Sequence, residues 1–300
     1  FSNNVIKRIE IDDGNYYLGT IKCNGRLESL EMRNITFENN QCGSLYGGGS
    51  GMLIQGISKL SFIDCKFNNN VARQSYDPTR PVASSDSSIE YLSGDGGAIQ
   101  IGYSSLTSEI DVLFDTCIFQ NNKAFRHGGA IAIQTLKTVE ILNCQFIENV
   151  ADTNDNYPSL LYANHYNKKE NGRGGAIYIN PCFTYFDKDN LMTDYPPEGI
   201  LMTNIKIDGC TFDKNKAYDG YAIYVEGDET ASTKFVITSN NFNNNYNPDT
   251  YTESCAVIVS EISNIYDEKS DTNTFYYDSG VTNIPNKIMY VDHYGKAPSY

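Results

Sequence analysis

The chain contains no Trp, no Cys-x-x-Cys pair and only three His among its 300 residues. Three scattered His without closely spaced Cys pairs cannot complete a zinc site. No apolar run reaches the roughly 20 residues that a membrane-spanning helix needs, so the sequence predicts no membrane span. Basic residues are scarce as well: 23 Lys and Arg stand against 37 Asp and Glu, a formal net charge of −14. This balance disfavours nucleic acid and anionic membrane surfaces as partners.

What the chain has in abundance is an internal repeat. From residue 37 onward, a Phe is followed three residues later by an Asn six times, and a segment resembling Gly-Gly-Ala-Ile comes after each pair, beginning at residues 50, 96, 128, 174, 220 and 254. Self-similarity of this kind predicts a repeat architecture, whose repeated residues we expect to be scaffold. The pairs are Phe37/Asn40, Phe67/Asn70, Phe119/Asn122, Phe146/Asn149, Phe212/Asn215 and Phe242/Asn245.

The residues before each Phe predict short strands joined by a corner. Apolar residues alternate, skip one additional position and alternate again, as in Leu60, Phe62, Cys65 and Phe67. Alternation with period two indicates a strand, and the skip indicates a corner. The skipped residues are polar or small, as in Arg33-Asn34, which suits an exposed bend. The Gly-Gly-Ala-Ile segment supplies a third strand, so each repeat predicts one coil of a solenoid.

The shortest repeat, 27 residues between Phe119 and Phe146, decides the kind of solenoid. It is too short for a strand, a crossover helix and a second strand, and it carries no helical periodicity. We therefore predict an all-β, right-handed parallel β-helix whose coils stack at roughly 4.8 Å. The repeated Asn would form a ladder at one inner corner, bonded to unpaired backbone groups and to one another. Its members are Asn40, Asn70, Asn122, Asn149, Asn215 and Asn245.

We predict a single domain over residues 1–300 with about eight coils, a rod roughly 38 Å long. Residues 1–23 form the first coil, 24–261 the six motif-bearing coils, and 262–300 a degenerate last coil and tail. The chain begins without Met or a signal peptide, so we expect a mature product or part of a longer polypeptide. Long insertions at 73–95, 152–173, 180–200 and 260–272 leave from fixed corners, and such loops commonly bind or pack.

Half of the eight Cys share one repeat position, two residues before the Phe: Cys65, Cys117, Cys144 and Cys210. We expect them to stack inside the rod as an inward ladder of small apolar groups with free thiols. Stacked neighbours are near enough for a disulfide, but parallel in-register side chains meet its geometry poorly. The sequence leaves open any pairing among the others, which are Cys23, Cys42, Cys182 and Cys255.

One repeat shows a family resemblance most clearly. It reads Cys-Ile-Phe-Gln-Asn-Asn-Lys-Ala at residues 117–124 and His-Gly-Gly-Ala-Ile at residues 127–131. This sequence resembles the repeat of the polymorphic outer-membrane proteins of chlamydiae. The same repeat is found in surface proteins of some protists. The resemblance extends from about residue 5 to residue 292. It implies a right-handed parallel β-helix in an extracellular or cell-surface protein, often adhesive or structural.

Parallel β-helices also include polysaccharide lyases and hydrolases, which need convergent carboxylates or a calcium site with a basic residue. The sequence contains no evident set of this kind. Arg126-His127-Gly128 matches the Gly-His-Gly of polygalacturonases only in part, and the companion Asn-Thr-Asp and Arg-x-Lys motifs are absent. His127 lies in the shortest loop, and we predict a solvated turn there. We therefore predict no enzyme and no catalytic residue.

Two acidic segments, 152–156 and 187–190, raise the question of calcium. The first begins like an EF-hand loop, but Tyr157 replaces the required Gly and Ala163 the bidentate Glu. We interpret both as hydrated loop tips and predict no cofactor, with a loose calcium site as the alternative.

Asn34-Ile35-Thr36 is a glycosylation sequon in an expected corner, so Asn34 is a candidate glycan acceptor. The open strand edges at the ends of a β-helix must be covered, and no capping helix is evident at residues 1–15. A head-to-tail contact that does not close generates a filament. We therefore expect an extracellular structural subunit that assembles end to end. The alternatives are an adhesin that binds a glycan or protein through loops 73–95, 152–173 and 180–200, and a polysaccharide lyase or hydrolase.

Overall fold

The computed structural model describes residues 5–6, 21–44, 52–74, 95–102, 110–134, 137–151, 172–180, 185–186, 192–193, 203–226, 233–246, 255–262, 272–278 and 289–293. Regular structure in these segments consists of β-strands alone. The strands are β1 (Val5–Ile6), β2 (Ile21–Arg33), β3 (Thr36–Glu38), β4 (Gln41–Ser44), β5 (Met52–Ile63), β6 (Lys66–Asn68), β7 (Val71–Gln74), β8 (Ile99–Ile101), β9 (Asp111–Asp115), β10 (Ile118–Gln120), β11 (Lys123–Ala124), β12 (Ile131–Ile133), β13 (Thr138–Leu142), β14 (Gln145–Ile147), β15 (Val150–Ala151), β16 (Ile177–Ile179), β17 (Tyr185–Phe186), β18 (Met192–Thr193), β19 (Thr203–Asp208), β20 (Thr211–Asp213), β21 (Ile223–Glu226), β22 (Thr233–Thr238), β23 (Asn241–Asn243), β24 (Val257–Ile262), β25 (Thr274–Tyr276) and β26 (Met289–His293).

These strands form three parallel sheets, and each repeat contributes a strand to more than one of them. The seven-stranded sheet has the order β25-β23-β20-β14-β10-β6-β3, and the five-stranded sheet has the order β1-β4-β7-β11-β15. The twelve-stranded sheet runs β22-β19-β13-β9-β5-β8-β12-β16-β21-β24-β26, with β2 beside β5. A small antiparallel pair, β17 and β18, lies inside the insertion at 180–200. The predicted all-β class with stacked parallel strands is therefore correct.

The strands pair in a register that superposes equivalent residues of successive repeats. In the seven-stranded sheet Phe119 pairs with Phe67 on one side and with Phe146 on the other. Neighbouring rings of this column lie 4.8–5.1 Å apart at their centroids, with planes within 3–9° of parallel. These centroid distances lie within the range of the stacked pairs that aromatic rings form favourably, so the strand register and the ring contacts support the same arrangement. The column is Phe37, Phe67, Phe119, Phe146, Phe212, Phe242 and Phe275.

The two glycines of the Gly-Gly-Ala-Ile segment are needed for two different steric reasons. Gly128 has a φ of +62°, a left-handed conformation that glycine adopts without penalty. Gly129 has no such φ, but a Cβ on it would lie 2.0 Å from the carbonyl oxygen of Gly175 and 2.5 Å from the backbone nitrogen of Val150. The second glycine is thus required because the chain of the next repeat passes against it.

Each repeat also turns two corners through residues in the left-handed region. The first corner follows the strand before the Phe, and its residues are Asn34, Asp64, Thr116, Asn143, Gly209 and Ser239, with φ between 53° and 66°. The second corner directly precedes the repeated Asn, and its residues are Asn39, Asn69, Asn121, Glu148, Lys214 and Asn244, with φ between 51° and 56°. Gly and Asn tolerate this conformation best, whereas a β-branched residue is strained in it.

Thr116 is the β-branched member of the first corner, with a φ of 56°. We expect Thr116→Asn to raise the free energy of unfolding by about 1 kcal/mol, because Asn enters the left-handed region at lower cost. Urea unfolding of both proteins measures the change. The matched control is Thr138→Asn in β13, where loss of a β-branched strand residue should leave stability unchanged or reduce it. Equal effects at the two positions would contradict the strain argument.

Candidate functional site

Six buried Asn side chains form a continuous hydrogen-bonded column at an inner corner of the stacked sheets. In its middle, Asn122 Nδ2 donates to Asn149 Oδ1 at 3.0 Å and to the carbonyl oxygen of Phe67 at 2.8 Å. Asn122 Oδ1 accepts from the backbone N–H and the Nδ2 of Asn70 at 3.0 and 2.9 Å. All four hydrogen-bonding positions of the side chain are therefore used inside the molecule. The column is Asn40, Asn70, Asn122, Asn149, Asn215 and Asn245.

The four repeated Cys lie buried as free thiols in a second column. Cys117 Sγ donates to the carbonyl oxygen of Phe62, and Cys144 Sγ accepts the backbone N–H of Cys117, both at 3.4 Å. In the next two repeats Asn240 and Asn273 occupy the same position and continue the pattern with amide bonds of 2.9–3.0 Å. Burial raises the pKa of the Cys144 thiol well above its ordinary value. Cys144, held in its protonated form, therefore has little nucleophilic or metal-binding capacity.

The other predicted site residues are placed only in part. Asn34 is exposed at its corner, as is Thr36 of the same sequon. Cys255 is a buried free thiol, whereas the side chains of Cys23, Cys42 and Cys182 lie outside the described residues. The acidic segments 152–156 and 187–190 lie there as well. Within the described ranges, no group of three or more His, Cys, Asp or Glu could hold a metal ion.

A polar and aromatic cluster lies beside the third strands and was not predicted from the sequence. We call it the loop-base cluster, because it stands where three of the long insertions join the sheets. Its members are Asp95, Arg126, His127, Arg173, Tyr178, Asn180, Tyr224 and Glu226.

At one side of the loop-base cluster, Asp95 is buried and paired with a guanidinium. Arg126 donates to both carboxylate oxygens, with Nε 2.8 Å from Oδ1, and the backbone N–H of His127 donates to Oδ1 at 3.1 Å. Burial by itself would raise the pKa of Asp95, but the charge and hydrogen bonds of Arg126 outweigh it and lower the pKa. Asp95 is thus held as a carboxylate.

His127 is buried, with 6% of its surface exposed. Its ring stacks on Tyr178, with centroids 4.4 Å apart and planes 17° from parallel. Ala132, the register neighbour of Tyr178, belongs to the same small buried cluster. The prediction of a solvated turn at His127 is therefore wrong. Nδ1 accepts the backbone N–H of Arg173 at 3.4 Å, and burial lowers the pKa of His127 to about 3.

The other side of the cluster is built around Glu226. Arg173 Nη1 donates to its Oε1 at 2.7 Å, and Tyr178 Oη donates to its Oε2. Asn180 Nδ2 lies 3.4 Å from Oε2. The Arg173 guanidinium also covers the Tyr224 ring, with Cζ 4.8 Å from the centroid, a cation–π contact. Burial and the neighbouring Glu226 carboxylate raise the pKa of Tyr178.

This arrangement joins three insertions that are distant in sequence. Asp95 is the last residue of the insertion 73–95, Arg173 is the last of 152–173, and Asn180 is the first of 180–200. Their hydrogen bonds connect residues 31 to 53 positions apart. One end of each of these three insertions therefore lies in a single connected set of side chains.

Chemically, the cluster combines fixed charges with hydrogen bonds between neighbouring repeats. Asp95 is deprotonated, His127 is neutral and Tyr178 is protonated at neutral pH, because their pKa values are displaced away from neutrality. General acid and base groups work best with a pKa near the operating pH. What these residues can do is hold the ends of the loops in place.

Burial of His127 makes stability depend on pH. The pKa of His127 is about 3 in the folded protein, and its ordinary value is 6.5. Below pH 6.5 this side chain is therefore protonated in the unfolded chain and stays neutral in the folded protein. Stability is lost as the pH falls, by roughly 2 kcal/mol between pH 7 and pH 5 from this residue. Urea unfolding at pH 7, 6 and 5 should show the fall, and His127→Gln should remove most of it. A slope unchanged by that substitution would contradict the assignment, since the other two His are present in both proteins.

The signal for this cluster was present in the repeat itself. Asp95, His127, Arg173 and Asp219 each stand directly before the Gly-Gly position of their repeat. Residues at one repeat position stack on one another, and the backbones of Arg173 and Asp219 indeed form a parallel β-bridge. A run of ionisable residues at one repeat position therefore predicts mutual contact.

Comparison with known proteins gives one match. Residues 116–134 match the family model of the Chlamydia polymorphic membrane protein repeat, which confirms the resemblance over that segment. Neither a search of curated proteins nor one of solved structures gave a significant match. Across the described residues, no helix has the length and apolar character to cross a membrane.

Proposed function

We propose that the protein is a surface-associated structural protein, built as a right-handed parallel β-helix of about eight coils, whose copies associate end to end. The surface location is inferred from the match of residues 116–134 to a membrane-protein repeat. The β-helix is inferred from three parallel sheets whose strands are displaced by whole repeats. Such stacks expose strand edges at their ends, and assembly covers them.

The observation that carries the end-to-end assembly is the last strand of the seven-stranded sheet. Of the described strands, β25 pairs only with β23. Phe275 continues the ring column 4.8 Å from Phe242, yet it is only partly buried, whereas Phe242 is 1% exposed. Tyr276 beside it is 58% exposed. A strand edge that no other described strand pairs with, next to a partly exposed ring at the end of the stack, is suited to another copy of the chain.

Electron microscopy and sedimentation velocity over a range of protein concentrations test the assembly. We expect ordered end-to-end polymers of the unchanged protein. Tyr276→Lys places a charge at the open edge and should reduce polymer formation at least tenfold. Gln145→Lys adds the same charge to an exposed position in the middle of the same sheet and should leave polymers intact. Persistent monomers at high concentration, or equal loss in the two variants, would refute end-to-end association.

The loop-base cluster favours a second candidate, an adhesin that binds a glycan or protein through loops 73–95, 152–173 and 180–200. The cluster holds the ends of these loops on one side of the molecule through Arg173, Asn180 and Glu226. Replacing residues 153–171 by a short Gly-Ser linker keeps Arg173 and tests the idea. Signal on a glycan array or on immobilised host-surface proteins should disappear in this variant. Undiminished signal would assign binding to the stacked sheets themselves.

We propose no enzymatic activity, and no cofactor. The supporting observation is that the buried carboxylate of Asp95 is paired with Arg126 and that His127 has a pKa far below neutrality. We also propose Asn34 as a glycan acceptor, because the side chain is exposed at a corner. The intact mass of the native protein before and after glycosidase treatment tests the latter.

A further inference from the structure

A groove of about 330 Å³ spans four repeats beside the second corner, where β14, β20, β23 and β25 end. Small-molecule sites in proteins have volumes of roughly 300–1,000 Å³, so the groove is large enough for one small ligand. One wall is the column of corner residues Glu148, Lys214 and Asn244. The groove is separate from the loop-base cluster and shares no residue with it.

The sequence departs from its own repeat at this groove. The second corner has φ between 51° and 56° in all six repeats, and four of them place Asn there: Asn39, Asn69, Asn121 and Asn244. The exceptions are Glu148 and Lys214, both with a φ of 53°. Neither type favours the left-handed region as Asn does. Strained backbone retained at particular positions points to a functional use of the side chains there.

The charges of the groove are unusual for this chain. Lys214 and Lys216 stand two residues apart in one repeat, and neither forms an ion pair with any residue that the structure describes. The chain as a whole has a net charge of −14. Two adjacent cations without an ion-pair partner among the described residues provide a local site for a carboxylate, and the charge of Lys214 already acts on the neighbouring Asp213 carboxylate.

A carboxylate closes the groove beyond Asn244. Asn244 Nδ2 donates to Asp278 Oδ2 at 2.9 Å, and the backbone N–H of Asp278 donates to Asn244 Oδ1 at 2.7 Å. These two bonds hold Asp278 in place. Glu148 belongs to the repeat before that of the two lysines. Tyr246, from the repeat after it, contributes an aromatic ring to the lining of the groove. The cations are thus flanked by hydrogen-bond acceptors and an aromatic surface.

Backbone N–H groups that line the groove already form hydrogen bonds within the protein. The N–H groups of Glu148, Lys214 and Lys216 donate to carbonyl oxygens of neighbouring repeats at 2.8–2.9 Å. A peptide that adds as a strand needs free main-chain groups at an edge. Because these groups already form hydrogen bonds, a ligand in the groove would be bound by side chains.

We propose that this groove binds a saccharide that carries a carboxylate, of the uronate or sialate class. Lys214 and Lys216 bind the sugar carboxylate, Glu148 and Asp278 accept hydrogen bonds from its hydroxyl groups, and the Tyr246 ring packs against its apolar face. Binding breaks no bond and requires no cofactor. The proposal stands independently of end-to-end assembly, because Lys214 and Lys216 follow β20, which lies two strands inside the end strand β25.

Titration of the protein with three acidic sugars, galacturonic acid, glucuronic acid and N-acetylneuraminic acid, tests the site by calorimetry or NMR. We expect at least one of them to bind saturably. Lys214→Asn restores the residue type of the other corners, so it should weaken binding at least tenfold while raising the unfolding midpoint. Lys206→Ala is the matched control, because that lysine is paired with Asp208 at 3.3 Å outside the groove. Its affinity should stay within twofold.

Three outcomes would overturn the proposal. The first is the absence of saturable binding for all three acidic sugars. The second is equal affinity for galactose, which lacks the carboxylate, or for triglutamate, which lacks the sugar. The third is unchanged affinity in Lys214→Asn. A fall in the unfolding midpoint of that variant would overturn the argument from backbone strain.

Discussion

Replacing Phe119 with alanine is expected to lower the free energy of unfolding by about 3–5 kcal/mol. The ring is fully buried and is stacked between Phe67 at 4.8 Å and Phe146 at 4.9 Å. It also meets the edge of Phe114 at 5.6 Å. Truncation removes contacts with three rings at once and leaves a cavity that fixed strands cannot close.

Urea unfolding followed by circular dichroism measures this effect. Gln120→Ala is the matched control, since Gln120 follows in the same strand but points away from the core. That change should alter stability by about 0.5 kcal/mol or less, as surface substitutions usually do. A loss below about 1 kcal/mol for Phe119→Ala would mean that the stack contributes little to stability.

Removal of one Asn from the middle of the ladder is the second large effect. In Asn122→Ala, the Asn70 backbone N–H, one Asn70 amide hydrogen and the Phe67 carbonyl oxygen all lose their partner. Each unpaired buried polar group costs about 1–3 kcal/mol. We therefore expect a loss of about 3 kcal/mol or more, from a side chain that buries little apolar surface.

A double-mutant cycle separates the ladder from simple loss of packing. Asn122 and Asn149 share hydrogen bonds at 3.0 Å, so the double alanine variant should be less destabilised than the two single losses added together. Gln145→Ala, an exposed amide of the same sheet, is the control and should be nearly neutral. Strict additivity of Asn122 and Asn149 would contradict a cooperative ladder.

The loop-base cluster suggests how one chain combines a regular stack with variable loops. Insertions interrupt the repeat, but their ends are tied to residues of neighbouring repeats by the pairs Arg126–Asp95 and Arg173–Glu226. Both pairs are largely shielded from solvent, so removing one partner would leave a buried charge uncompensated. The loops can therefore vary between their ends without loss of the sheets.

Much of the fold could be predicted because its information is local. Alternation with a two-residue skip, as in Leu60, Phe62, Cys65 and Phe67, predicted strands and a corner, and the structure has β5, the corner at Asp64 and β6 there. The spacing of successive Phe predicted parallel stacking without a helix. Each of these inferences depends on residues within one repeat, and the repeat supplied them six times.

The site required contacts that no single repeat contains. His127 was expected in solvent because its loop is short, but Tyr178 from the next repeat stacks on its ring. The groove depends on Asp278, whose bonds to Asn244 join residues 34 positions apart. Loop length carries no information about what the next repeat places above it.

The sequence by itself determined the strand class, the parallel stacking and the identity of the repeated Phe and Asn, because side-chain alternation and a constant spacing act within a few residues. Only the tertiary structure decided which irregular residues meet. Asp95 with Arg126, Arg173 with Glu226, and Asn244 with Asp278 depend on how insertions of unequal length are brought into register. That register is set by the stacked core, whose buried side chains hold together chain segments distant in sequence.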